Sequence, residues 1–96
     1  MTTREEIKRK IKTIKPHLQQ EYAVKNIGLF GSFADGTATA ESDIDILVEF
    51  EKPIGWRFFS LEIYLEKIFE RKIDLVTRNA LKKQIAPSIL SQLQYI

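Results

Sequence analysis

The chain has 96 residues and a net charge of +2, with 44% hydrophobic and 29% charged residues. This length and balance predict a single soluble domain, residues 1–96, with one modest core, and they favour neither disorder nor direct nucleic-acid binding. The absence of cysteine excludes disulfides and thiolate metal sites. The N-terminus has no apolar signal-like region and no apolar run reaches about 18 residues, so we expect a cytoplasmic protein without a membrane span.

The first predicted element is a helix that begins at Thr3, which has the spacing of a capping box with Glu6. Apolar residues then recur at intervals of three and four, as on one face of a helix: Ile7, Ile11, Ile14 and Leu18. Pro16 lies inside this pattern and lacks a backbone N–H, so we expect the helix to end or kink near residues 14–15. The opposite, lysine-rich face is most simply a solvated surface.

Two predicted strands follow, joined by a short turn. Val24–Phe30 is short and apolar at its end, and it predicts a strand that stops at Gly31. Ser32–Gly36 would then form one helical turn, with Ser32 as its N-cap. Asp43–Phe50 is the clearest strand, because apolar and acidic residues alternate along it. One face carries Ile44, Ile46 and Val48, and the other carries Asp43, Asp45, Leu47 and Glu49.

The second half of the chain adds a helix, a strand and short elements. Trp56–Arg71 has the pattern of an amphipathic helix. Its predicted core stripe is Phe58, Leu61, Leu65, Ile68 and Phe69. Ile73–Thr77 predicts a third strand, Asn79 would cap a short helix through Gln84, and Leu93–Ile96 predicts an edge strand. This order predicts an α+β fold in which a small mixed β-sheet is covered by helices.

A second apolar line lies beside the core stripe of the Trp56–Arg71 helix. It is formed by Trp56, Phe59 and Ile63. A domain of this size has little core to absorb both lines, so we predict that part of this line contacts a protein partner. A wider core stripe is the alternative.

Asp43 and Asp45 are the first candidate site residues. At positions i and i+2 of a strand, their side chains leave the same face about 6.6 Å apart at the backbone. Two carboxylates this close repel each other unless a cation lies between them, and Mg²⁺ prefers one or two carboxylates together with phosphate oxygens. The alternative is that they form the polar side of a half-exposed strand, although aspartate is a poor strand former.

Gly31, Ser32 and Asp74 are the other candidates. A glycine allows a sharp turn and the close approach of a phosphate, and Ser32 could cap a turn whose free N–H groups favour an anion. An ordinary strand-to-helix turn is the alternative for this pair. Asp74 interrupts an apolar strand, and a buried acid is costly without a partner. If its strand lies beside that of Asp45, Asp74 could complete a metal site or accept a proton. The alternative is that Asp74 points to solvent. The chain has a single histidine and no Walker-type lysine loop, so it lacks the residues for nucleophilic triads, histidine-based zinc sites and Walker-type nucleotide binding.

These residues together resemble the polymerase-β-like nucleotidyltransferase superfamily. Gly31-Ser32 is followed by Ser42-Asp43-Ile44-Asp45, which begins eleven residues after Gly31, and then by Asp74 on a later strand. Residues 29–36, 42–48 and 73–76 are most similar to its minimal nucleotidyltransferase (MNT, MntA-like) branch, whose members serve as antitoxins. The resemblance covers residues 25–78 well and implies the nucleotidyltransferase fold.

The resemblance also implies roles for the site and for its partners. Gly31 and Ser32 would hold the triphosphate of ATP, and Asp43, Asp45 and Asp74 would be the catalytic acids that bind Mg²⁺. The implied reaction is transfer of AMP from ATP to a tyrosine hydroxyl of a HEPN-domain toxin, so that the protein would be the antitoxin in a hetero-oligomer. Small-molecule acceptors such as aminoglycosides are a weaker alternative in so small a chain.

Asp35 departs from the pattern of the family. Many relatives have an arginine at this place in the loop, just before the second glycine. An acid there would either weaken triphosphate binding or face away from the site. It leaves open a second function, in which a catalytically weak or inactive module neutralises its partner by stoichiometric binding.

Overall fold

A computed structural model describes residues 2–80 and 86–96. Its helices are α1 (Arg4–Tyr22), α2 (Ser32–Asp35), α3 (Arg57–Phe69) and α4 (Ala86–Gln92). Its strands are β1 (Val24–Phe30), β2 (Ile44–Phe50), β3 (Ile73–Thr77) and β4 (Gln94–Tyr95). A short 3₁₀ helix, Arg78–Ala80, follows β3. Among the described residues, no helix is both long and apolar enough to cross a bilayer.

The four strands form one mixed sheet in the order β3-β2-β1-β4. β1 is antiparallel to both β2 and β4, whereas β2 and β3 are parallel. The predicted mixed sheet is therefore confirmed, and β4 is the short edge strand expected near the end of the chain. The strand predicted from Asp43 begins one residue later, at Ile44.

The core lies between one face of the sheet and the helices α1 and α3. It contains the predicted face of β2 together with apolar residues of β1, β3 and the two helices. Its fully buried members include Ile7, Ile11, Leu18, Ile27, Leu29, Ile44, Ile46, Val48, Leu61 and Leu65. Leu47 is also fully buried, but it alternates with these residues and belongs to the opposite face of the sheet.

α1 begins as predicted but continues beyond the proline. The N–H of Glu6 donates to Thr3 Oγ1 at 3.2 Å, which confirms Thr3 as N-cap. The prediction that the helix ends near residues 14–15 is wrong, because the helix continues through Pro16 to Tyr22. An internal proline costs about 3 kcal/mol or more. Leu18 lies beyond Pro16 and is completely buried, so packing of the last turns offsets that cost.

α3 confirms the predicted core stripe, with Leu61, Leu65 and Phe69 buried and Phe58 and Ile68 packed against them. The second apolar line stays outside, with Trp56 85%, Phe59 54% and Ile63 53% exposed. A wider core stripe is therefore excluded, and contact of this line with a partner stays a prediction. Of the helix predicted from Asn79 to Gln84, residues 81–85 lie outside the described part of the chain.

Candidate active site

Gly31 follows the last residue of β1 and has a backbone conformation that is essentially restricted to glycine. Its φ is 72° and its ψ is −152°, a region that residues with a Cβ essentially do not occupy. A Cβ built on Gly31 would also lie 2.8 Å from Cγ of Asp45, against which the glycine is packed. The preceding residue, Phe30, pairs with Asp45 across the β1–β2 ladder. The glycine is needed because the Asp45 carboxylate occupies the space of its side chain.

Gly31, and not Ser32, is the N-cap of α2, so the predicted capping role of Ser32 is wrong. The carbonyl of Gly31 accepts hydrogen bonds from the N–H groups of Ala34 and Asp35, both at 3.0 Å. An N-cap residue must leave the helical conformation, and the glycine does so at the end of the strand. Ser32 is consequently the first helical residue, and its hydroxyl takes no part in capping α2.

Asp45 and Asp74 are direct neighbours on parallel strands. The register of β2 and β3 pairs Asp45 with Asp74 and Ile44 with Ile73. Asp45 is half-buried and Asp74 is exposed, and both alternate with core residues, so they share the face of the sheet opposite the core. Asp43 is exposed and lies just before β2. The structure thus brings Gly31, Asp45 and Asp74 together and places Asp43 at the entrance to the same strand.

Burial raises the pKa of Asp45 from 3.8 to about 6, and the charge and hydrogen bonding of Asp74, followed by the charge of Asp43, contribute to this rise. A second carboxylate beside a half-buried one disfavours ionisation, and a divalent cation would remove that penalty. A pair of carboxylates matches the protein ligands that Mg²⁺ takes, with phosphate oxygens of a substrate as further ligands. Within residues 2–80 and 86–96, no three acidic or histidine side chains already converge as a metal site.

Asp35, the departure from the family pattern, closes the turn after α2. Its Oδ1 accepts hydrogen bonds from the backbone N–H of Thr37 at 2.9 Å and from Thr37 Oγ1 at 2.6 Å. These bonds lower the pKa of the exposed Asp35 carboxyl. An aspartate that bonds the backbone two residues later is a common turn former, so the residue has a structural role in this loop.

Arg71 is a residue of the site region that the sequence analysis missed. Its Nη1 donates to the carbonyls of Ala40 and Ser42, both at 2.8 Å, and its guanidinium lies 5.4 Å from the centre of the Phe33 ring. These contacts span about thirty positions of the chain. The only local signal is a basic residue after the end of a helix, and that signal names no partner.

Arg4 and Gln94 make a second set of contacts that were missed. Arg4 Nη1 and Gln94 Nε2 both donate to the carbonyl of Ala34 in α2, each at 3.1 Å. The turn after Gly31 is therefore held by side chains from both ends of the chain.

Comparison with known proteins gives matches over nearly the whole chain. A family model described as "Nucleotidyltransferase domain" matches residues 11–96. Protein adenylyltransferase MntA of Thermococcus cleftensis is 40% identical over 97 residues, which cover 100% of this chain and 98% of the relative.

Solved structures agree with these sequence matches. The structure of a minimal nucleotidyltransferase superposes with a TM-score of 0.80 at 23% identity and covers 97% of this chain and 95% of its own. A toxin–antitoxin structure with AMP-PNP superposes with a TM-score of 0.72 at 24% identity, covering 88% of this chain and 69% of its own. At these identities the two structures show a shared fold.

Proposed function

This chain belongs to the nucleotidyltransferase domain family and is a nucleotidyltransferase, and we propose that it transfers AMP from ATP to a tyrosine hydroxyl of a HEPN-domain toxin. It would thereby act as the antitoxin of that toxin. The name of the Thermococcus relative, a protein adenylyltransferase, supports this acceptor class for the present chain. The toxin–antitoxin structure that holds AMP-PNP supports both the partner and the adenine nucleotide.

The single observation that carries the proposal is the contact of Gly31 with Asp45 next to Asp74. It joins a glycine turn, the kind of backbone that a phosphate can approach closely, to two neighbouring carboxylates that repel each other when both are ionised. An ordinary strand-to-helix turn has no need of an aspartate packed on its glycine. A polar strand face has no need of two acids in register.

The site residues divide the reaction between them. Gly31 and Ser32 would receive the triphosphate, and Asp74 would accept the proton of the attacking hydroxyl. Mg²⁺ would be held by Asp43 and Asp45, and also by Asp74 if Asp74 is a ligand and not the base, and it would offset the charge of the triphosphate and of the leaving pyrophosphate.

The chemical balance of the transfer is simple. A bond forms between the tyrosine oxygen and the α-phosphorus, and the bond from that phosphorus to the bridging oxygen breaks. The toxin keeps the AMP group, pyrophosphate leaves, and the hydroxyl proton goes to the carboxylate base. Because ATP is consumed and the acceptor is a protein, we place the reaction in the cytoplasm without a nucleic-acid partner.

The alternative of a binding module without activity rests on Asp35. Its carboxylate is committed to Thr37, so its presence is explained by the turn and is no sign of a disabled phosphate site. This observation favours the enzyme over the stoichiometric inhibitor. A third possibility is a small-molecule acceptor. When labelled ATP is used, a protein acceptor would carry the label itself, whereas with a small-molecule acceptor the label would be found on the small molecule.

The test is to incubate the protein with Mg²⁺, with ATP labelled at the α-phosphate and with the candidate toxin, which is taken to be the protein encoded by the neighbouring reading frame. We expect label on a tyrosine of that protein, loss of transfer in Asp43→Ala and Asp45→Ala, and normal transfer in Glu41→Ala. Glu41 is an exposed acid of the preceding loop and serves as the matched control. A tight complex without transfer would support the binding module and refute the enzyme.

A further inference from the structure

Arg71 contacts two of the segments that build the site and lies two residues before the third. We propose that Arg71 is a positioning residue that fixes the Gly31 turn and the Asp43–Asp45 segment at the spacing needed for metal and nucleotide. The inference rests on the proposed function of the same site. It concerns a side chain that touches none of the reacting groups.

The first contact holds the entrance to β2. Arg71 Nη1 donates to the carbonyl of Ser42, and the carbonyl of Lys72 accepts a hydrogen bond from the N–H of Ile44 at 3.1 Å. Asp43 lies between Ser42 and Ile44, so both of its neighbours are tied to consecutive residues of one segment. Hydrogen bonds from a charged donor are stronger than neutral ones, so this attachment is a firm one.

The second contact holds the loop that leads to Asp43. Arg71 Nη1 also donates to the carbonyl of Ala40 at 2.8 Å. Within this loop, Ser42 Oγ accepts from the N–H of Thr39 at 2.8 Å, which organises the loop internally. Those bonds join residues of the loop only to each other, whereas Arg71 attaches the loop to the segment between α3 and β3.

The third contact reaches α2. The guanidinium lies over the ring of Phe33 at 5.4 Å, and Phe33 is buried between the core and the arginine. Phe33 is two residues after Gly31, so the turn and the β2 entrance share one cationic side chain. A planar guanidinium can stack on a ring and bond carbonyls at once, which an ammonium cannot match.

Asp74 completes the arrangement, because β3 begins two residues after Arg71. The Arg71 side chain therefore contacts two of the three segments that would hold metal or phosphate, and its backbone leads directly into the third. Outer groups that orient metal ligands typically contribute about 10- to 100-fold to metal affinity. Loss of Arg71 should therefore lower the affinity for the cation, and this loss of affinity should be larger than the accompanying loss of folding stability can explain.

The experiment compares Arg71→Ala and Arg71→Lys with two controls. Arg9→Ala removes an exposed arginine of α1, and Ile11→Val removes one methylene group from a fully buried core residue of the same helix. Binding of Mn²⁺ without nucleotide is measured by electron paramagnetic resonance, and melting temperatures are recorded for every variant. Hydrogen–deuterium exchange is followed in residues 31–35 and 39–45.

We expect Arg71→Ala to weaken Mn²⁺ binding by about tenfold or more. Arg71→Lys should fall between it and the wild type, and exchange should rise in both segments together. Ile11→Val should lower the melting temperature with wild-type Mn²⁺ affinity. Unchanged Mn²⁺ affinity in Arg71→Ala, or faster exchange confined to one segment, overturns the inference.

Failure of the wild type to bind Mn²⁺ both without nucleotide and in the presence of ATP would instead refute the proposed function. The exchange measurement still decides in that case whether Arg71 couples the two segments.

Discussion

Gly31 and Asp45 depend on each other, because the Asp45 carboxylate lies in the space that a side chain at residue 31 would fill. A Cβ there would be 2.8 Å from Asp45 Cγ and 3.1 Å from Asp45 Cβ. The two residues are separated by α2 and a loop, and the β1–β2 ladder brings them together. Any substitution of the glycine must therefore displace a candidate metal ligand.

Gly31→Ala should lose both stability and activity. Holding alanine in this region of φ and ψ costs about 1–3 kcal/mol, and displacement of Asp45 adds to it. We expect a fall in the free energy of unfolding of at least that size in urea titrations, together with loss of AMP transfer.

Gly36→Ala is the matched control for this change. Gly36 also has a positive φ, of 86°, but apart from its chain neighbours no described residue comes within 4 Å of its added Cβ. It should show backbone strain alone, with a smaller loss of stability and with AMP transfer retained. Equal effects of the two alanines would contradict a specific contact with Asp45.

The strands and the candidate site were predictable because their signals are local. β1 and β3 have the bounds expected from their apolar runs, and the alternation along β2 assigned Asp45 to the correct face. Glycine followed by paired aspartates needs only sequence spacing to be noticed. What spacing could not give is register, and it is register that sets Asp45 beside Asp74.

The misses arise where tertiary contacts override local rules. Pro16 should end α1, but burial of Leu18 on the far side keeps the helix intact. Ser32 is a residue type that favours an N-cap, but the conformation of Gly31 takes that position. The position of Arg71 after the end of a helix does not identify its partners, since the carbonyls it contacts are distant in sequence and any residue type can supply a carbonyl.

Asp45→Asn should stabilise the protein at neutral pH in the absence of divalent cations. The folded-state pKa of Asp45 is raised from 3.8 to about 6. Between these values the folded state binds more protons than the unfolded state, so wild-type stability falls as pH rises from about 4 to about 6. The amide of the variant does not titrate and has no such loss. Since Asp45 is only half-buried, we expect a gain of about 1 kcal/mol at pH 7 after solvent screening.

The measurement is thermal unfolding from pH 4 to pH 7, with and without Mg²⁺. The curves of wild type and Asp45→Asn should meet near pH 4, diverge between pH 4 and pH 6, and stay a constant distance apart above pH 6. Added Mg²⁺ should raise the wild-type melting temperature at pH 7 and leave that of the variant nearly unchanged. Parallel pH curves would show that Asp45 ionises normally in the folded protein.

Asp35→Ala distinguishes a turn former from an acid that repels ATP. Since the carboxylate bonds both Thr37 donors, its removal should lower the melting temperature by a few degrees and leave KM for ATP no lower than in the wild type. Thr37→Val is the control, because it deletes the hydroxyl donor and keeps the acid. A marked fall of KM for ATP in Asp35→Ala would mean that the acid faces the triphosphate.

Ile63→Glu and Phe59→Glu should disrupt the complex with the toxin while leaving this domain folded. Both side chains are more than half exposed, so a charge there is solvated in the free protein. In a complex the same charge would be desolvated without a partner, a loss large enough to remove binding. Size-exclusion chromatography of the mixed proteins reports the complex, and circular dichroism reports folding.

Two control variants distinguish loss of the interface from loss of folding. Gln20→Glu adds a charge at an exposed position of α1 and should bind the toxin normally, whereas Leu61→Glu buries a charge in the core and should unfold the domain. Unfolding of Ile63→Glu would mean that the residue supports the core of the isolated protein. Normal binding by a folded Ile63→Glu would place the toxin on another face, because a buried glutamate at the centre of an interface is not tolerated without a cation opposite it.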